Sequence, residues 1–264
     1  MDLRIGISAW SFHRRFLAKP PTMDYPQFFA AVRGLDVDTV ELNSPFFDSL
    51  EDAYINSIKS AADSYAVHIN NIAIDDAGYD LSSADSANRE EAIDRTVRWM
   101  DVAVMLDCPN IRNNTGGPHE GDDPDALARC TDSFARLTAE AEKRSLNMVI
   151  ENHGGISANP DDLVSLIKKV NSKFIGTVPD FGNFRADIRY EAIEKVAPFA
   201  KQIHPKMHDF DENGEQPGWD TARLVNIVKN TGFDGYWMIE FEGQEEEFSG
   251  LRKSIALLSR CLRG

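Results

Sequence analysis

The sequence has little positive charge. Its 28 lysines and arginines stand against 43 aspartates and glutamates, which gives a formal net charge of −15 over 264 residues. A surface of this kind repels phosphate backbones and anionic lipid headgroups. We therefore expect neither a nucleic acid nor a membrane surface among the partners of this protein.

Cysteines and long apolar runs are also scarce. The three cysteines are odd in number and unrelated in spacing, so they predict neither a disulfide framework nor a thiolate zinc site. No apolar run approaches the ~20 residues of a membrane span. The amino terminus lacks the basic segment and long apolar stretch of a signal peptide. These absences predict a cytoplasmic protein whose cysteines are small packing residues.

A glycine-rich dinucleotide motif is missing as well, because no G-x-G-x-x-G follows the first predicted strand. The chain instead alternates short apolar runs with amphipathic segments. The runs predict eight strands, at residues 3–7, 39–42, 67–72, 109–112, 147–151, 174–178, 202–206 and 236–241. Eight strand–helix units in a chain of this length predict an α/β fold, a single-domain (β/α)8 TIM barrel over residues 1–264, with an open doubly wound sheet as the alternative.

The active sites of such barrels lie at the carboxyl ends of the strands. The last four predicted strands each lead into one polar side chain, and these are Glu151, Asp180, His204 and Glu240. Three carboxylates and one imidazole suit one divalent metal ion, Mn²⁺ first, with Mg²⁺, Co²⁺ or Zn²⁺ as alternatives. Taken singly, each position is more typical of a loop or helix-cap residue. Together they predict a metal site, because clustered carboxylates without a cation would repel one another.

The segments that carry these residues resemble those of a known family. IENHGG, PDFGNF, IHPKMHDFDENGE and YWMIEFEG are similar to segments of the sugar phosphate isomerase/epimerase superfamily, the xylose-isomerase-like TIM barrels. The resemblance extends over nearly the whole chain and is strongest from the fifth strand onward. It implies one divalent metal held by Glu151, Asp180, His204 and Glu240. His208 is a competing imidazole, but the family's His-x-Lys pattern matches His204 and Lys206.

The resemblance also implies a chemistry. Glu151 and Glu240 correspond to the acid/base pair of ketose 3-epimerases, so we expect an isomerase or epimerase that acts on a small hydroxy-carbonyl sugar through an enediolate. A dehydratase of a polyol ketone is the alternative. Asn183 and Phe210 stand where the epimerases have a histidine and an arginine, which weakens any assignment of their own ketose. Lys206 shares the strand face of the ligand histidine and can polarise a substrate oxygen.

Seven residues are candidate substrate-binding groups by type and position: Trp10, Glu41, His68, Arg112, His153, Asn183 and Lys206. Trp10 follows the first strand, where a ring can stack on a sugar. Glu41 ends the second strand and hydrogen-bonds a ligand or a neighbouring group, while His68 lines the barrel mouth or packs in the core. Arg112 precedes the turn-rich segment NNTGG and binds an oxyanion or forms a structural ion pair. His153 follows the fifth strand and orients the site.

Two other functions remain open from the sequence alone. A metal-dependent phosphodiesterase for damaged DNA, related to apurinic endonucleases, needs extra histidine ligands and a basic face, which the net charge of −15 opposes. A barrel that binds a sugar or polyol without turning it over is the second. Whether the barrel turns a sugar over or only binds it, the expected partner is a small sugar or polyol. The sequence does not predict the oligomeric state.

Overall fold

A computed structural model describes residues 3–75, 78, 80–116 and 123–264. The strands are β1 Ile5–Ser8, β2 Thr39–Asn43, β3 His68–Ile74, β4 Asn110–Asn113, β5 Asn147–Glu151, β6 Ile175–Val178, β7 Gln202–Ile203, β8 Lys206–Met207 and β9 Tyr236–Phe241. The α-helices are α1 His13–Phe16, α2 Tyr25–Arg33, α3 Asp52–Ser64, α4 Ser86–Met105, α5 Ala126–Lys143, α6 Pro160–Val170, α7 Arg189–Val196, α8 Thr221–Lys229 and α9 Glu247–Arg263. Strands and helices therefore alternate as the sequence predicts.

The strands form one parallel sheet that nearly closes on itself. Its order is β6-β5-β4-β3-β2-β1-β9-β7, and β8 also pairs with β9. Bridges between Thr177 and Ala200 and between Asp180 and His204 connect the two ends of this sheet. The predicted (β/α)8 TIM barrel is confirmed. The seventh predicted strand differs in being two pieces, β7 and β8, separated by His204 and Pro205; proline has no N–H to donate to a strand partner.

The helices bury the apolar series that predicts them. In α5, Cys130, Phe134, Leu137 and Ala141 are fully buried, one turn after another. Cys108 is likewise buried and Cys261 half-buried, as expected of packing residues. In the part of the chain that the structure describes, no helix has the length and apolar composition needed to cross a membrane.

A bulge in β3 shapes the inside of the barrel below the strand ends. Val40 pairs with Ile69, but the next residue, Glu41, pairs with Asn71, so β3 contains one extra residue at this point. Strict alternation would turn only one of two neighbouring residues inward. Here Asn71 donates a hydrogen bond to Glu41, and Asn70 donates one to Gln202, both from buried positions. The bulge therefore gives the barrel interior two adjacent amides.

Candidate metal centre

Four side chains from successive strand ends meet at the carboxyl end of the barrel. Glu151 ends β5, Asp180 follows β6, His204 lies between β7 and β8, and Glu240 lies in β9. Each offers one ligand atom, and these atoms all lie within 4.8 Å of one another. All four residues are buried, Glu240 being the most exposed at 7%. The sequence predicts this same group.

His204 turns one ring nitrogen to the carboxylates of this group. Its Nδ1 lies 3.1 Å from Oε1 of Glu151, 3.5 Å from Oε2 of Glu240 and 4.0 Å from Oδ2 of Asp180. Burial lowers the pKa of His204, but the surrounding carboxylates, Glu41 foremost, outweigh burial and raise it above its ordinary value. The competing imidazole, His208, is half-buried, does not belong to this group, and packs its ring edge-on against a tryptophan.

Asp180 provides the test of whether a metal fits. Its Oδ1 accepts hydrogen bonds from the backbone N–H groups of Gly182, at 2.7 Å, and Asn183, at 3.0 Å. Its Oδ2 is buried and has no hydrogen-bond partner among the described residues. Burial raises the pKa of this carboxyl. A buried carboxylate oxygen without a donor is costly, and a hard divalent cation among three carboxylates and one imidazole would satisfy it. The residues present fit such an ion.

Arg112 closes one side of the centre. Its guanidinium donates to Oε2 of Glu151 with one nitrogen and to Oδ1 of Asp75 with another, and the arginine is only 3% exposed. Of the two alternatives for Arg112, the structure shows the ion pair. Sequence reasoning did not single out Asp75, although an aspartate directly after an apolar strand is the signal that identified Glu151. The last residue of the NNTGG segment, Gly117, lies outside the described residues.

Lys206 closes the opposite side. Its Nζ lies 2.8 Å from Oε1 of Glu240, 3.3 Å from Oε1 of Glu242 and 3.6 Å from Oδ2 of Asp180. Burial would lower the pKa of Lys206, but these carboxylates raise it well above its usual range. Burial likewise opposes ionisation of Glu240, yet Lys206 and the imidazole hold its pKa well below the ordinary value. Burial and the hydrogen bond that protonated Glu242 donates to Glu240 raise the pKa of Glu242 to about 7.

Glu41 lies behind the histidine, fully buried. Its Oε2 is 2.9 Å from Nε2 of His204 and accepts hydrogen bonds from the side-chain amides of Asn71, at 2.7 Å, and Gln202, at 2.6 Å. The Ser8 hydroxyl donates to the other oxygen at 3.0 Å. Of the two roles expected for Glu41, the structure shows contacts with neighbouring side chains. Gln202 escapes sequence reasoning because it is the first residue of its strand, whereas candidate site residues are sought at the carboxyl ends.

Two more of the predicted substrate-binding residues, Asn183 and Trp10, follow the carboxyl ends of strands. Asn183 lies in the centre, where its amide donates to Glu151 at 3.2 Å and accepts from the lysine Nζ at 3.1 Å. Trp10 follows β1, half-buried and stacked on the rings of His13 and Phe46.

His153 lies at the same end of the barrel as the four ligand atoms, within reach of the charges of Arg112 and Glu240, whereas His68 lies at the other end. His153 follows β5 but is exposed, and its backbone N–H donates to the Ser157 hydroxyl at 3.0 Å. The structure does not bring His68 to the centre: it is the first residue of β3, exposed at the amino end of the barrel, beside the ring of Tyr236. Both expectations for His68, the barrel mouth and a core position, therefore need correction, because the strand begins one residue later than predicted and leaves this side chain at its solvent-facing start.

Among curated proteins, two short stretches match C-glycoside deglycosidase alpha subunits. The match to the protein of Microbacterium trichothecenolyticum is 38% identical over 48 residues, 18% of this chain and 13% of that one. The match to the protein of Arthrobacter globiformis is 28% identical over 74 residues, 25% of this chain and 21% of that one. The matched stretches thus span at most about a fifth of these relatives.

Solved structures match over nearly the full length at low identity. An L-ribulose 3-epimerase superposes with a TM-score of 0.81 at 15% identity, covering 99% of this chain and 95% of the other. A D-psicose 3-epimerase crystallised in the presence of D-fructose gives 0.78 at 16% identity, covering 99% and 100%. A xylose isomerase-like TIM barrel protein from Mycobacterium smegmatis in complex with magnesium gives 0.73 at 17%, covering 99% and 98%. Residues 29–261 match the family model of these barrels, and the chain belongs to the xylose isomerase-like TIM barrel family.

Proposed function

We propose that this protein is a divalent-metal-dependent isomerase or epimerase of a small hydroxy-carbonyl sugar. The observation that carries the proposal is the buried group of Glu151, Asp180, His204 and Glu240, with one oxygen of Asp180 left without a hydrogen-bond donor among the described residues. Its oxygen-rich donor set favours Mn²⁺ or Mg²⁺. Two of the similar solved structures are sugar 3-epimerases, which supports the same class of reaction.

The two glutamates are placed to move a proton. A divalent metal, when bound, polarises neighbouring substrate oxygens as a Lewis acid and acidifies the carbon beside the carbonyl. Glu151 and Glu240 reach the centre from β5 and β9, on either side of the strands that carry Asp180 and His204. One carboxylate removes the carbon-bound proton and the other, or the same one, returns it. Return to the opposite face of that carbon gives the epimer, and return to the neighbouring carbon gives the isomer.

Asn183 and Lys206 are the groups best placed to orient a substrate oxygen. The amide of Asn183 connects Glu151 with the Lys206 ammonium, so it lies between the two proposed acid/base groups. Lys206 donates to Glu240 and stabilises its ionised form, which is the form that accepts a proton. A substrate hydroxyl that replaces one of these contacts would be held between the two carboxylates.

The charges around the centre favour an uncharged substrate over a phosphorylated one. The two buried cations that contact carboxylates of the centre, Arg112 and Lys206, are already engaged by them, and Asp75 and Glu242 add negative charge at either side. The residues outside the described ranges contain neither lysine nor arginine. A phosphate group would therefore enter a field that repels it.

Isotope exchange in D₂O tests the proposal. The metal-loaded protein is incubated with a panel of free ketoses, beginning with D-fructose, and deuterium at the carbons beside the carbonyl is followed by NMR. We expect deuterium to enter the product as it forms. Asp180→Ala should abolish this uptake together with Mn²⁺ binding. Glu247→Gln, which alters a buried carboxylate paired with Arg15 instead of one in the centre, should retain both.

Three results would overturn the proposal in different ways. Product without deuterium would indicate hydride transfer between carbons and remove the acid/base roles of the glutamates. Bound Mn²⁺ without turnover of any sugar would indicate a binding protein. Incision of an abasic-site duplex at low salt, where electrostatic repulsion is least screened, would indicate a phosphodiesterase.

A further inference from the structure

We propose that Glu41 is a positioning residue that fixes His204 as an Nδ1 ligand of the metal. The inference rests on the proposed metal centre, but it concerns residues of β2 and β3 that lie behind that centre. Neutral imidazole has one N–H donor and one lone pair, so a ligand histidine needs an acceptor for the N–H on its other nitrogen. The structure shows which atom accepts it.

The two ring nitrogens of His204 face different surroundings. Nδ1 faces Glu151, Asp180 and Glu240, at 3.1 to 4.0 Å. Nε2 faces away from them and lies 2.9 Å from Oε2 of Glu41. A lone pair on Nδ1 can therefore reach an ion shared with the three carboxylates, provided that the proton is on Nε2.

Glu41 is the acceptor for that proton. The amide nitrogen of Gln202 also lies 2.8 Å from Nε2, but the Gln202 carbonyl oxygen is occupied by the amide of Asn70, which leaves an NH₂ group on the histidine side. An NH₂ group donates, and it donates to Oε2 of Glu41 at 2.6 Å. The carboxylate is thus the acceptor that the described residues place beside Nε2.

Glu41 is itself held in place, which a positioning role requires. Oε1 accepts from the Ser8 hydroxyl and Oε2 from the amides of Asn71 and Gln202, and Glu41 is fully buried. The β3 bulge makes this possible, because it puts Asn71 opposite Glu41. β2 is separated from β7 by β1 and β9, so the Glu41–His204 contact crosses the barrel interior. Such carboxylate partners fix the tautomer and ring orientation of ligand histidines, and their loss typically costs 10- to 100-fold in metal affinity.

Glu41→Gln tests the inference with little change of shape. The donors of Asn71 and Gln202 keep the amide oxygen beside Nε2. An uncharged amide oxygen is a weaker acceptor than a carboxylate, so the proton is held less firmly on Nε2 and the lone pair on Nδ1 is less available to the metal. We expect the Kd for Mn²⁺, measured by calorimetry, to rise about 10- to 100-fold. Ser8→Ala removes one hydrogen bond to Glu41 and leaves the histidine contact, so its Kd should change less. Glu247→Gln, the matched buried carboxylate outside the centre, should leave Kd unchanged.

A second measurement separates positioning from structure and from the proposed function. In the metal-free protein at alkaline pH, ¹⁵N chemical shifts of the imidazole, assigned with His204→Asn, should report the Nε2–H tautomer in the wild type and a shift toward Nδ1–H in Glu41→Gln. Thermal melts of the metal-free proteins check that both are folded. The same tautomer in both proteins, or an unchanged Kd, would overturn the inference. Metal binding that depends on Glu41 without any sugar turnover would leave it standing and contradict the proposed function alone.

Discussion

Arg112 and Lys206 lie on opposite sides of the candidate metal centre, and each neutralises one of the two proposed acid/base glutamates. On the Arg112 side, the arginine and Glu151 side chains are 4% and 1% exposed, and a planar guanidinium fixes both partners. On the Lys206 side, Glu242 is 27% exposed and shares a flexible ammonium with Glu240. Both cations are therefore buried, but the outer carboxyl is more exposed on the Lys206 side, since Asp75 on the Arg112 side is 15% exposed.

This difference teaches that two glutamates of the same type need not be equivalent. A guanidinium does not give up its proton in a protein, so Arg112 can only hold Glu151 in its ionised form and in position. On the Lys206 side, Glu242 has a pKa raised to about 7 by burial and is reached by water, so this carboxyl can exchange protons with solvent. Exchange with solvent should then occur on the Lys206 side.

The largest expected effect comes from removing either glutamate's charge. Glu151→Gln and Glu240→Gln should each lower the rate of deuterium uptake about 10²-fold or more, the lower part of the range for a positioned acid or base. Mn²⁺ occupancy is measured in the same samples, because both residues are proposed ligands. A large loss in only one variant would contradict two-sided proton transfer and favour one-sided chemistry such as dehydration.

Removal of each buried cation should lower the free energy of unfolding by a different amount on the two sides. Arg112→Met leaves Glu151 and Asp75 without their buried cation, and we expect a loss of about 3–5 kcal/mol in the free energy of unfolding. Lys206→Met should cost less, because water reaches Glu242 and solvates its charge. Urea denaturation in the presence of a chelator measures both. Equal or reversed losses would show that the two sides do not differ in burial as described.

The residues on these two sides of the centre show which parts of the site the sequence predicts and which it does not. The four ligand-type residues were predictable, because each follows or ends an apolar run and consecutive parallel strands end at one edge. The contact of His204 with Glu41 was not, since it joins strands 163 residues apart. The contact of Arg112 with Asp75 was not either, since it depends on the register of the neighbouring strands β3 and β4. Such pairs are set by barrel closure and by strand register, which local periodicity does not specify.

The bulge in β3 is a second feature that local periodicity does not specify, here within a single strand. Periodicity predicted the bounds of β3 to within two residues. It assumed unbroken alternation, however, and so did not predict that Asn70 and Asn71 both face the barrel interior. The split of the seventh strand differs from the bulge because the sequence contains a signal for it. Pro205 was visible in the sequence, and its missing N–H could have predicted the break between β7 and β8.

Asp75→Asn should have a smaller effect on the Arg112 side. Arg112 keeps its contact with Glu151 and loses one charged partner, so we expect a loss of about 1.5 kcal/mol, the lower end for a hydrogen bond to a charged group. The surface pair of Arg185 and Asp187 supplies the control, with side chains 79% and 59% exposed. Asp187→Asn should change stability by less than about 0.5 kcal/mol. Similar losses in both variants would mean that burial does not strengthen the Asp75 contact.

The smallest effect is expected at His208, the second imidazole on the Lys206 side. His208→Ala removes a ring that packs against Trp219 and touches none of the four ligand atoms, so Mn²⁺ affinity should stay close to that of the wild type. His204→Ala, measured by the same titration, should lose most of the affinity. The reverse order would show that the wrong imidazole was assigned to the centre.

The extra residue in β3 also makes the length of that strand a constraint on how this barrel can evolve or be redesigned. Insertions and deletions in the connecting loops change the chain without changing which side chains face inward. A deletion of one of the two adjacent asparagines, which gives the same chain whichever is removed, would restore regular alternation and leave one amide where Gln202 and Glu41 now have one each. This change would act on the histidine without altering any residue that contacts the metal position. Designs that graft a new substrate pocket onto this barrel should therefore vary its loops freely and keep β3 at its present length.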